Sequence, residues 1–222
     1  MNNLKTVLAI VGGSVLIVLL MIIGLSKMAV GGETETNVDE AILLDGAKLV
    51  TPQATQAGGQ ATQSGEVKVT VVNFSCMQCP ACKSAHSYLN VLENMPGVRY
   101  VIRHFPLSSH AYSVHGAKAV EAARQLGKGW EMLNLLFEKQ GEWSAFSRGE
   151  IDQKMNGYAT GLGMSGDDFK KTYESNETAK VVFTDRALAE KLKLSGTPTI
   201  YVNGEQTAPQ FVLAKVEELL KK

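Results

Sequence analysis

The chain has 222 residues and a formal net charge of zero, and no basic block follows its N-terminal apolar run. This charge balance argues against a protein that binds nucleic acid by neutralising phosphates. Three cysteines are too few for a disulfide scaffold, and all of them lie between Cys76 and Cys82. Such clustering indicates chemistry at the cysteines.

The N-terminal apolar run covers residues 6–26, which carry no charged side chain and are bracketed by Lys5 and Lys27. At about 1.5 Å per residue, a helix of this length crosses a hydrocarbon core of about 30 Å. A cleaved signal peptide would have an apolar region of only roughly 7–15 residues and a small-residue cleavage site. The sequence Lys27-Met28-Ala29 fits such a site poorly, so we expect an uncleaved signal-anchor.

The composition changes between residues 28 and 65. The stretch Leu49–Gly65 carries no charge and no aromatic side chain, so it offers little that could pack. Such a segment does not offset its ordering entropy, and we expect a flexible linker over residues 28–65. The short run Ala41–Leu44 fits a strand or a helical turn equally well. Residues 66–222 then form one domain-sized unit.

The domain begins with a β-branched run at Lys68–Phe74, which predicts a buried strand. Apolar residues at helical spacing follow the cysteines, and Pro96-Gly97 ends that helix. A second strand follows at Val98–Ile102, and then a long helical stretch. The run beginning at Thr199 returns to strand and turn, with room for a second short strand, before a terminal helix. The resulting order is typical of an α/β fold.

Chemistry is predicted at Cys76-Met-Gln-Cys79-Pro-Ala-Cys82, where the first strand leads into a helix. A thiol at a helix N-terminus is stabilised as thiolate by unpaired N–H groups and the helix dipole. A second thiol one turn later can close a disulfide and resolve a mixed one. Of the two overlapping pairs, we favour Cys79 as an exposed nucleophile and Cys82 as a buried resolving thiol. Pro80 suits the first turn of the helix that follows.

Cys76 has three interpretations: a small semi-buried apolar residue, a third redox partner, or a metal ligand. Together with Cys79, Cys82 and His86 it forms a spacing that could hold zinc, copper or an iron–sulfur centre. The chain has no fourth cysteine, which excludes an all-cysteine cluster within one subunit. We expect neither a bound metal nor a cofactor, and the four-residue ligand set stays as an alternative.

The remaining aromatic and imidazole side chains receive structural interpretations. His86 is expected to be an exposed helix residue, and His104 a residue that packs or hydrogen-bonds at a strand end. His110 and His115 are expected on a polar face at the entry to the helical stretch. The two tryptophans are expected to serve as core and cap of that stretch; they are Trp130 and Trp143.

The order of several segments carries a family resemblance. The matching segments are Asn73–Lys83, Arg103–Leu107, Gly127–Leu133 with Leu136–Gln140, and Gly196–Gly204. From about Val67 to the last residue, the chain resembles DsbA-like thiol–disulfide oxidoreductases of the thioredoxin superfamily. Its predicted anchor and linker resemble those of the membrane-tethered bacterial members.

The resemblance implies a thioredoxin fold with an inserted helical domain at about residues 106–194. It also implies a cis peptide bond between Thr197 and Pro198, with the backbone at Thr197 pairing with substrate peptide as an added strand. The implied function is disulfide formation in exported proteins, outside the cytoplasm, with reoxidation by a quinone-linked membrane oxidoreductase. The alternatives are an extracytoplasmic reductase or isomerase and a metal chaperone.

Two positions depart from the family pattern. The family often places a histidine between the two cysteines, whereas Ala81 offers no donor to the thiolate. Many thioredoxin-like proteins also have a buried acid six residues before the nucleophile, where this chain has Asn73. An amide cannot accept a proton from the resolving thiol. Dithiol exchange survives both departures, and the oxidising strength is the property that they affect.

Overall fold

The computed structural model describes residues 37–51 and 66–222. The signal-anchor predicted for residues 6–26 lies outside this part of the chain and stays a prediction. Within the two described segments, no helix combines the length and apolar character needed to cross a membrane.

A five-stranded mixed sheet forms the centre of the described domain. In chain order its strands are β1 (Leu49–Val50), β2 (Val69–Ser75), β3 (Val98–His104), β4 (Thr199–Val202) and β5 (Glu205–Gln206). Their spatial order is β1-β3-β2-β4-β5, and β2 runs parallel to β3 while the other neighbours are antiparallel. Strand β2 is buried at every position because it has neighbours on both edges and helices on both faces.

Helices precede, connect and follow these strands. Those in the described residues are α1 (Glu40–Leu44), α2 (Pro80–Leu89), α3 (Ser113–Gln125), α4 (Gly129–Glu138), α5 (Gln140–Trp143), α6 (Ile151–Gly161), α7 (Gly166–Tyr173), α8 (Asn176–Lys191) and α9 (Val212–Leu220). Helices α3 to α8 lie between β3 and β4. The arrangement is the thioredoxin fold that the resemblance implies. Helix α2 ends earlier than predicted, because a 3₁₀ turn at Asn90–Asn94 precedes Pro96-Gly97.

The sheet separates two apolar clusters, since successive side chains of a strand point to opposite faces. On one face Val72 and Phe74 pack in a cluster that also includes residues of α1 and α8. On the other face Val69 and Val71 join the larger cluster with α2, α9 and the inserted helices. Burial of each large apolar side chain stabilises the fold by roughly 1.5–3 kcal/mol. This double coverage holds the C-terminal end of β2, where the cysteines begin, in one position.

The predicted linker over residues 28–65 is wrong for residues 37–51, which fold onto the domain. Helix α1 is capped by the Asp39 carboxylate, which accepts from the Ala41 N–H at 2.9 Å, and Leu43 is fully buried. Strand β1 pairs with the edge of β3. Apolar contacts and backbone pairing with distant parts of the chain together offset the ordering entropy, which the local composition by itself does not.

A buried guanidinium ties this N-terminal segment to the sheet. Arg103 on β3 donates to the Leu43 carbonyl at 2.8 and 3.1 Å and also to the carbonyl of Asp45. Its remaining amino group forms an ion pair with Asp185 of α8 at 2.6 Å. Asp185 in turn accepts from the backbone N–H of His104 at 2.9 Å. Every charged group of this cluster therefore has partners, which buried charges require.

We predict that a chain beginning at Gly65 is less stable than one beginning at residue 35. The shorter chain lacks α1 and β1 and removes two carbonyl acceptors from the buried Arg103. Because hydrogen bonds to charged groups contribute about 1.5–3 kcal/mol each, the loss should reach about 3 kcal/mol or more. Urea unfolding of the two truncated chains measures the difference. Equal unfolding free energies would show that residues 37–51 contribute nothing to stability.

Candidate active site

The candidate nucleophile lies at the N-terminus of helix α2, directly before its first residue. Cys79 is the N-cap residue, with φ −81° and ψ 121°, and Pro80 begins the helix. No side chain caps this terminus. The unpaired N–H groups of the first turn are therefore free to interact with the Cys79 sulfur. Proline costs nothing here, because the first helical residue has no intrahelical acceptor for its N–H.

These surroundings lower the pKa of Cys79 to about 5. The largest cause is a hydrogen bond from the Cys82 thiol, followed by Thr197 and by the backbone N–H groups of Cys82 and Ala81, while burial opposes them. The Cys79 sulfur is consequently a thiolate at neutral pH. The thiolate is the reactive form in disulfide exchange.

The pKa of Cys82 is shifted in the opposite direction. This residue lies one turn into α2 with 2 % of its surface exposed, and the backbone N–H of Cys76 points to its sulfur at 3.5 Å. Burial is the largest cause of a strongly raised pKa, and the interaction with Cys79 raises it further. The proton of the dithiol therefore stays on Cys82 while Cys79 carries the negative charge.

The loop before β4 lies against the cysteines. The peptide bond between Thr197 and Pro198 is cis, as the resemblance implies. The Thr197 carbonyl oxygen lies 3.4 Å from the Cys79 sulfur and accepts from its thiol when that thiol is protonated. Both loop residues are half-buried and border solvent. The structure thus brings together all four residues predicted from the sequence: Cys79, Cys82, Thr197 and Pro198.

Cys79 is less exposed than predicted, since only 7 % of its surface is accessible. The Thr197 loop covers one side of it. On another side Gln140 of α5 donates to the carbonyls of Cys79 and Met77 at 3.0 and 2.8 Å. Sequence reasoning missed Gln140, because nothing in its local pattern shows that the inserted helices return to the cysteine loop.

Cys76 is fully buried, and its sulfur lies 3.3 Å from Nδ1 of His110. His110 was expected on a polar face, but it is half-buried and contacts the cysteine loop. The contact follows from parallel pairing of β2 and β3, in which Ser75 lies opposite His104. Since both strands end at the same edge, the chain segments after them meet there. That strand order was the signal that could have placed His110 near Cys76.

Hydrogen bonds attach the turn that carries His110 to the cysteine loop, and others form within the turn. The side-chain oxygen of Gln78 accepts from the Tyr112 N–H at 2.7 Å, at the start of α3. The Ser113 hydroxyl donates to the Leu107 carbonyl at 2.9 Å, and the His110 N–H donates to the same carbonyl at 3.1 Å. The imidazole is therefore presented to Cys76 by an anchored turn.

His86 departs from its predicted exposure, with 7 % of its surface accessible. Its Nε2 lies 2.7 Å from the Asn134 side-chain oxygen, and its ring packs against Phe137 at 4.6 Å between centroids. Burial lowers its pKa. Because His86 points to α4, it does not complete a ligand set with the cysteines. Residues 37–51 and 66–222 contain no cluster of three or more metal-ligating side chains of the His, Cys, Asp and Glu types.

The other two histidines belong to the scaffold. His104 is buried at the end of β3, where its ring packs without a hydrogen-bond partner among the described residues, and burial lowers its pKa. His115 lies near Asp152 and the Tyr173 hydroxyl, at 2.8 and 2.9 Å. Trp143 is fully buried, and the Trp130 ring stacks on Tyr100 with 5.7 Å between the ring centroids.

Of the two positions that depart from the family pattern, Asn73 has the clearer structural consequence. Its amide donates to the Tyr100 hydroxyl at 3.0 Å, and its oxygen has no hydrogen-bond partner among the described residues. The pKa of Tyr100 is raised, mainly by burial. Neither side chain is a base at neutral pH. The position that would hold an acid in many related proteins therefore offers Cys82 no proton acceptor.

We predict that alkylation of reduced Cys79 has its pH midpoint near 5, well below that of an unperturbed thiol. The thiolate should already be reactive at pH 6, because it forms above the lowered pKa and is lost as the pH falls through it. Iodoacetamide labelling with mass spectrometry of the Cys79 peptide measures the profile. A midpoint above 8 would contradict the assignment of Cys79 as the stabilised thiolate.

Comparison with known proteins places this site in a family. A family model described as Thioredoxin matches residues 64–222, most of the chain and all of the cysteine site. The chain belongs to this thioredoxin family. Its structural neighbours include proteins named as DsbA oxidoreductases, and the neighbour at 25% identity supports an oxidoreductase of that class.

Two solved structures illustrate the likeness. The DsbA oxidoreductase of Xylella fastidiosa is 25% identical, with a TM-score of 0.57 over 69% of this chain and 84% of its own. Oxidised BdbD of Bacillus subtilis is 22% identical, with a TM-score of 0.60 over 72% of this chain and 91% of its own. At 22% identity the second likeness concerns the fold.

Curated relatives resemble the chain over part of their length. The Na(+)/H(+) antiporter NhaA 1 of Salinispora arenicola is 35% identical over 143 residues, which are 64% of this chain and 21% of that protein. The matched region spans about a fifth of the relative. Antiport, named for that whole protein, is not carried to this chain by a match of this extent.

Proposed function

We propose that this protein is an extracytoplasmic thiol oxidant that introduces disulfides into exported proteins through Cys79 and Cys82. In the oxidised protein, a client thiolate attacks the Cys79 sulfur, and Cys82 leaves as the other half of the disulfide. A second client thiolate then attacks the mixed disulfide, forming the client disulfide and releasing Cys79 as thiolate. The client loses two electrons, and the dithiol gains them.

The observation that carries the proposal is the lowered pKa of Cys79. A thiolate stabilised to a pKa of about 5 is a good leaving group and makes the reduced protein the favoured state. A disulfide whose reduced form is stabilised is a strong oxidant. Attack of the client at Cys79 rather than Cys82 follows from burial, because the Cys82 sulfur lies deeper.

Clients would bind at the loop beside Cys79. The half-buried Thr197 and Pro198 border the sulfur, which supports pairing of the Thr197 backbone with an extended client segment. Such pairing would give affinity without strong sequence preference, since main-chain groups are common to all clients.

The anchor and the partners extend the same proposal. An uncleaved membrane helix at residues 6–26 would hold the domain outside the cytoplasm, and reduced exported proteins would be its clients. A quinone-linked membrane oxidoreductase would reoxidise the dithiol. The uncharged run bracketed by lysines supports this arrangement. Disulfides persist in that compartment, which suits a cysteine pair built for exchange.

The experiment that tests the proposal is the redox equilibrium of the dithiol against a glutathione series. We expect a potential between about −220 and −130 mV, above that of thioredoxin and below that of the strongest periplasmic oxidant. The low pKa of Cys79 raises the potential, and the missing donor at Ala81 limits it. A potential near −270 mV, about that of thioredoxin, would contradict the oxidant and favour a reductase.

Ala81→His tests whether the missing hydrogen-bond donor at position 81 limits the redox potential of the Cys79–Cys82 dithiol. Ala81 is exposed on the first turn of α2, so a histidine fits there without repacking. Its imidazole would stabilise the Cys79 thiolate, and hence the reduced form, and raise the potential. Ala81→Gln is the matched control for side-chain size. Equal potentials for the two variants would show that no charge-dependent stabilisation operates at this position.

A further inference from the structure

We propose that Cys76 and His110 form a second reactive thiol–imidazole pair, and that Cys76 resolves mixed disulfides held at Cys79. This inference rests on the proposed exchange at Cys79 and adds a second release route to it. The substrates of this route are clients, or small thiols, that remain attached because they have no second cysteine within reach.

The backbone places Cys76 within disulfide range of Cys79. The Cys76 carbonyl accepts from the Cys79 N–H at 3.0 Å and closes a tight turn. Such turns keep their first and last Cα atoms within about 7 Å, which overlaps the Cα separation of about 4.4–6.8 Å found in disulfides. Rotation of the two side chains can therefore join the sulfurs without rebuilding the loop. Negative charge on Cys79 also contributes to raising the pKa of Cys76, so the two sulfurs sense each other.

His110 supplies the base that a buried thiol needs. Burial is the main cause of the raised pKa of Cys76, so Cys76 must lose its proton before it can attack. The imidazole Nδ1 lies 3.3 Å from that sulfur, and the half-buried ring can exchange protons with solvent. A nucleophile and a base at this distance are the minimal unit of an activated cysteine.

Cys82 lacks a comparable base. The nearby Asn73 amide is committed to Tyr100, and neither group accepts a proton at neutral pH. Of the two thiols beside Cys79, Cys76 is therefore the one with a proton acceptor in contact. This contrast is a property of the present sequence, in which Asn73, Cys76 and His110 occur together.

The step balances as an exchange. His110 Nδ1 takes the proton from Cys76, and the resulting thiolate attacks the Cys79 sulfur of the mixed disulfide. The Cys76–Cys79 bond forms, the bond from Cys79 to the attached thiol breaks, and the leaving thiolate takes the proton from His110. The Cys76 sulfur is oxidised from thiol to disulfide level, the Cys79 sulfur stays at disulfide level, and the released sulfur is reduced to a thiol by the same amount.

The test uses the full chain as the reduced Cys82→Ser variant, treated with less than one equivalent of the disulfide dimer of thionitrobenzoate. Attack by Cys79 releases one thionitrobenzoate and leaves the other on Cys79. Attack by Cys76 then releases the second. We expect two released per reagent molecule in Cys82→Ser and one in the double variant Cys76→Ser/Cys82→Ser. Peptide mass spectrometry should show a Cys76–Cys79 disulfide in the first protein.

His110 is tested by His110→Ala in the Cys82→Ser background. Loss of a general base should slow the second release about a hundredfold or more, while the first release is unchanged. Added imidazole should restore the second release, which it would not do for a misfolded loop. The variant Cys79→Ser/Cys82→Ser controls for direct reaction of Cys76 with the reagent and should release thionitrobenzoate far more slowly.

The outcomes separate the two proposals. If the first thionitrobenzoate is not released rapidly, Cys79 is not the nucleophile, and the proposed function fails with the inference. If the first is released and the second stays bound to Cys82→Ser, the inference alone is overturned. A second release that persists without Cys76, or that is equally fast without His110, overturns it as well.

Discussion

Replacing Cys79 with serine should abolish disulfide exchange, lowering the rate at least about a thousandfold. The substitution removes the sulfur whose pKa is lowered to about 5, and a serine hydroxyl neither ionises at neutral pH nor forms a disulfide. The double variant Cys76→Ser/Cys82→Ser should instead keep the attacking thiolate and accumulate disulfide-linked adducts with clients, because neither neighbouring thiol is left to resolve them. The rate at which the oxidised enzyme oxidises a reduced two-cysteine peptide measures the loss in Cys79→Ser. Nonreducing electrophoresis of the reduced double variant mixed with the oxidised peptide measures the adducts.

Two further variants serve as controls for Cys79→Ser. Ser87→Ala changes an exposed hydroxyl on α2 that donates to the Ser84 carbonyl, and it should exchange at the normal rate. Cys76→Ser retains the active-site dithiol and should lose far less activity than Cys79→Ser. Equal loss in Cys76→Ser and Cys79→Ser would show that the redox pair is Cys76 with Cys79.

The second prediction with a large effect concerns the stability of the fold, at a buried ion pair away from the cysteines. Arg103→Leu should lower the free energy of unfolding by about 3–5 kcal/mol, since breaking a buried ion pair leaves an uncompensated charge. Arg103 has no exposed surface, and its loss leaves Asp185 and the Leu43 carbonyl without their cationic partner. Guanidinium chloride unfolding of the reduced protein measures the change.

The size of this effect can be checked against a matched surface pair. Lys222 and Glu218 lie 2.7 Å apart with two thirds of each side chain exposed, so Lys222→Ala should cost less than about 1 kcal/mol. Arg103→Leu combined with Asp185→Leu should be more stable than Arg103→Leu alone, because it removes the orphaned carboxylate. A loss below about 1 kcal/mol in Arg103→Leu would mean that solvent reaches Asp185.

The features determined by the sequence itself are those with a short-range cause. The β-branched run at Lys68–Phe74 predicts the buried strand found at Val69–Ser75, and Pro80 after Cys79 predicts a helix that starts there. Together they place a thiol at a helix N-terminus, and the lowered pKa follows from that placement and from Cys82 one turn on. Collinear segments, read as a family resemblance, supplied the fold and the cis bond before Pro198.

Other features were decided by residues far apart in the chain. His86 is buried because Asn134 and Phe137 of the inserted helices cover it, although its own helix is amphipathic and short. Residues 37–51 are ordered because Arg103 and β3 offer them partners. Neither outcome is encoded in the local composition, since each depends on a contact that only the completed fold creates.

The Cys76–His110 contact also combines features that the local sequence predicts with a contact that only the tertiary structure creates. The sequence contains both residues and predicts the strands before them, yet 34 positions separate the two side chains that meet at 3.3 Å. Parallel pairing of β2 and β3 brings the two strand ends to one edge, and the Gln78–Tyr112 hydrogen bond then holds the turn against the cysteine loop. Local sequence thus determined where the reactive thiolate forms. The tertiary structure decided which base lies beside the third thiol, because strand order and loop packing are set by long-range contacts.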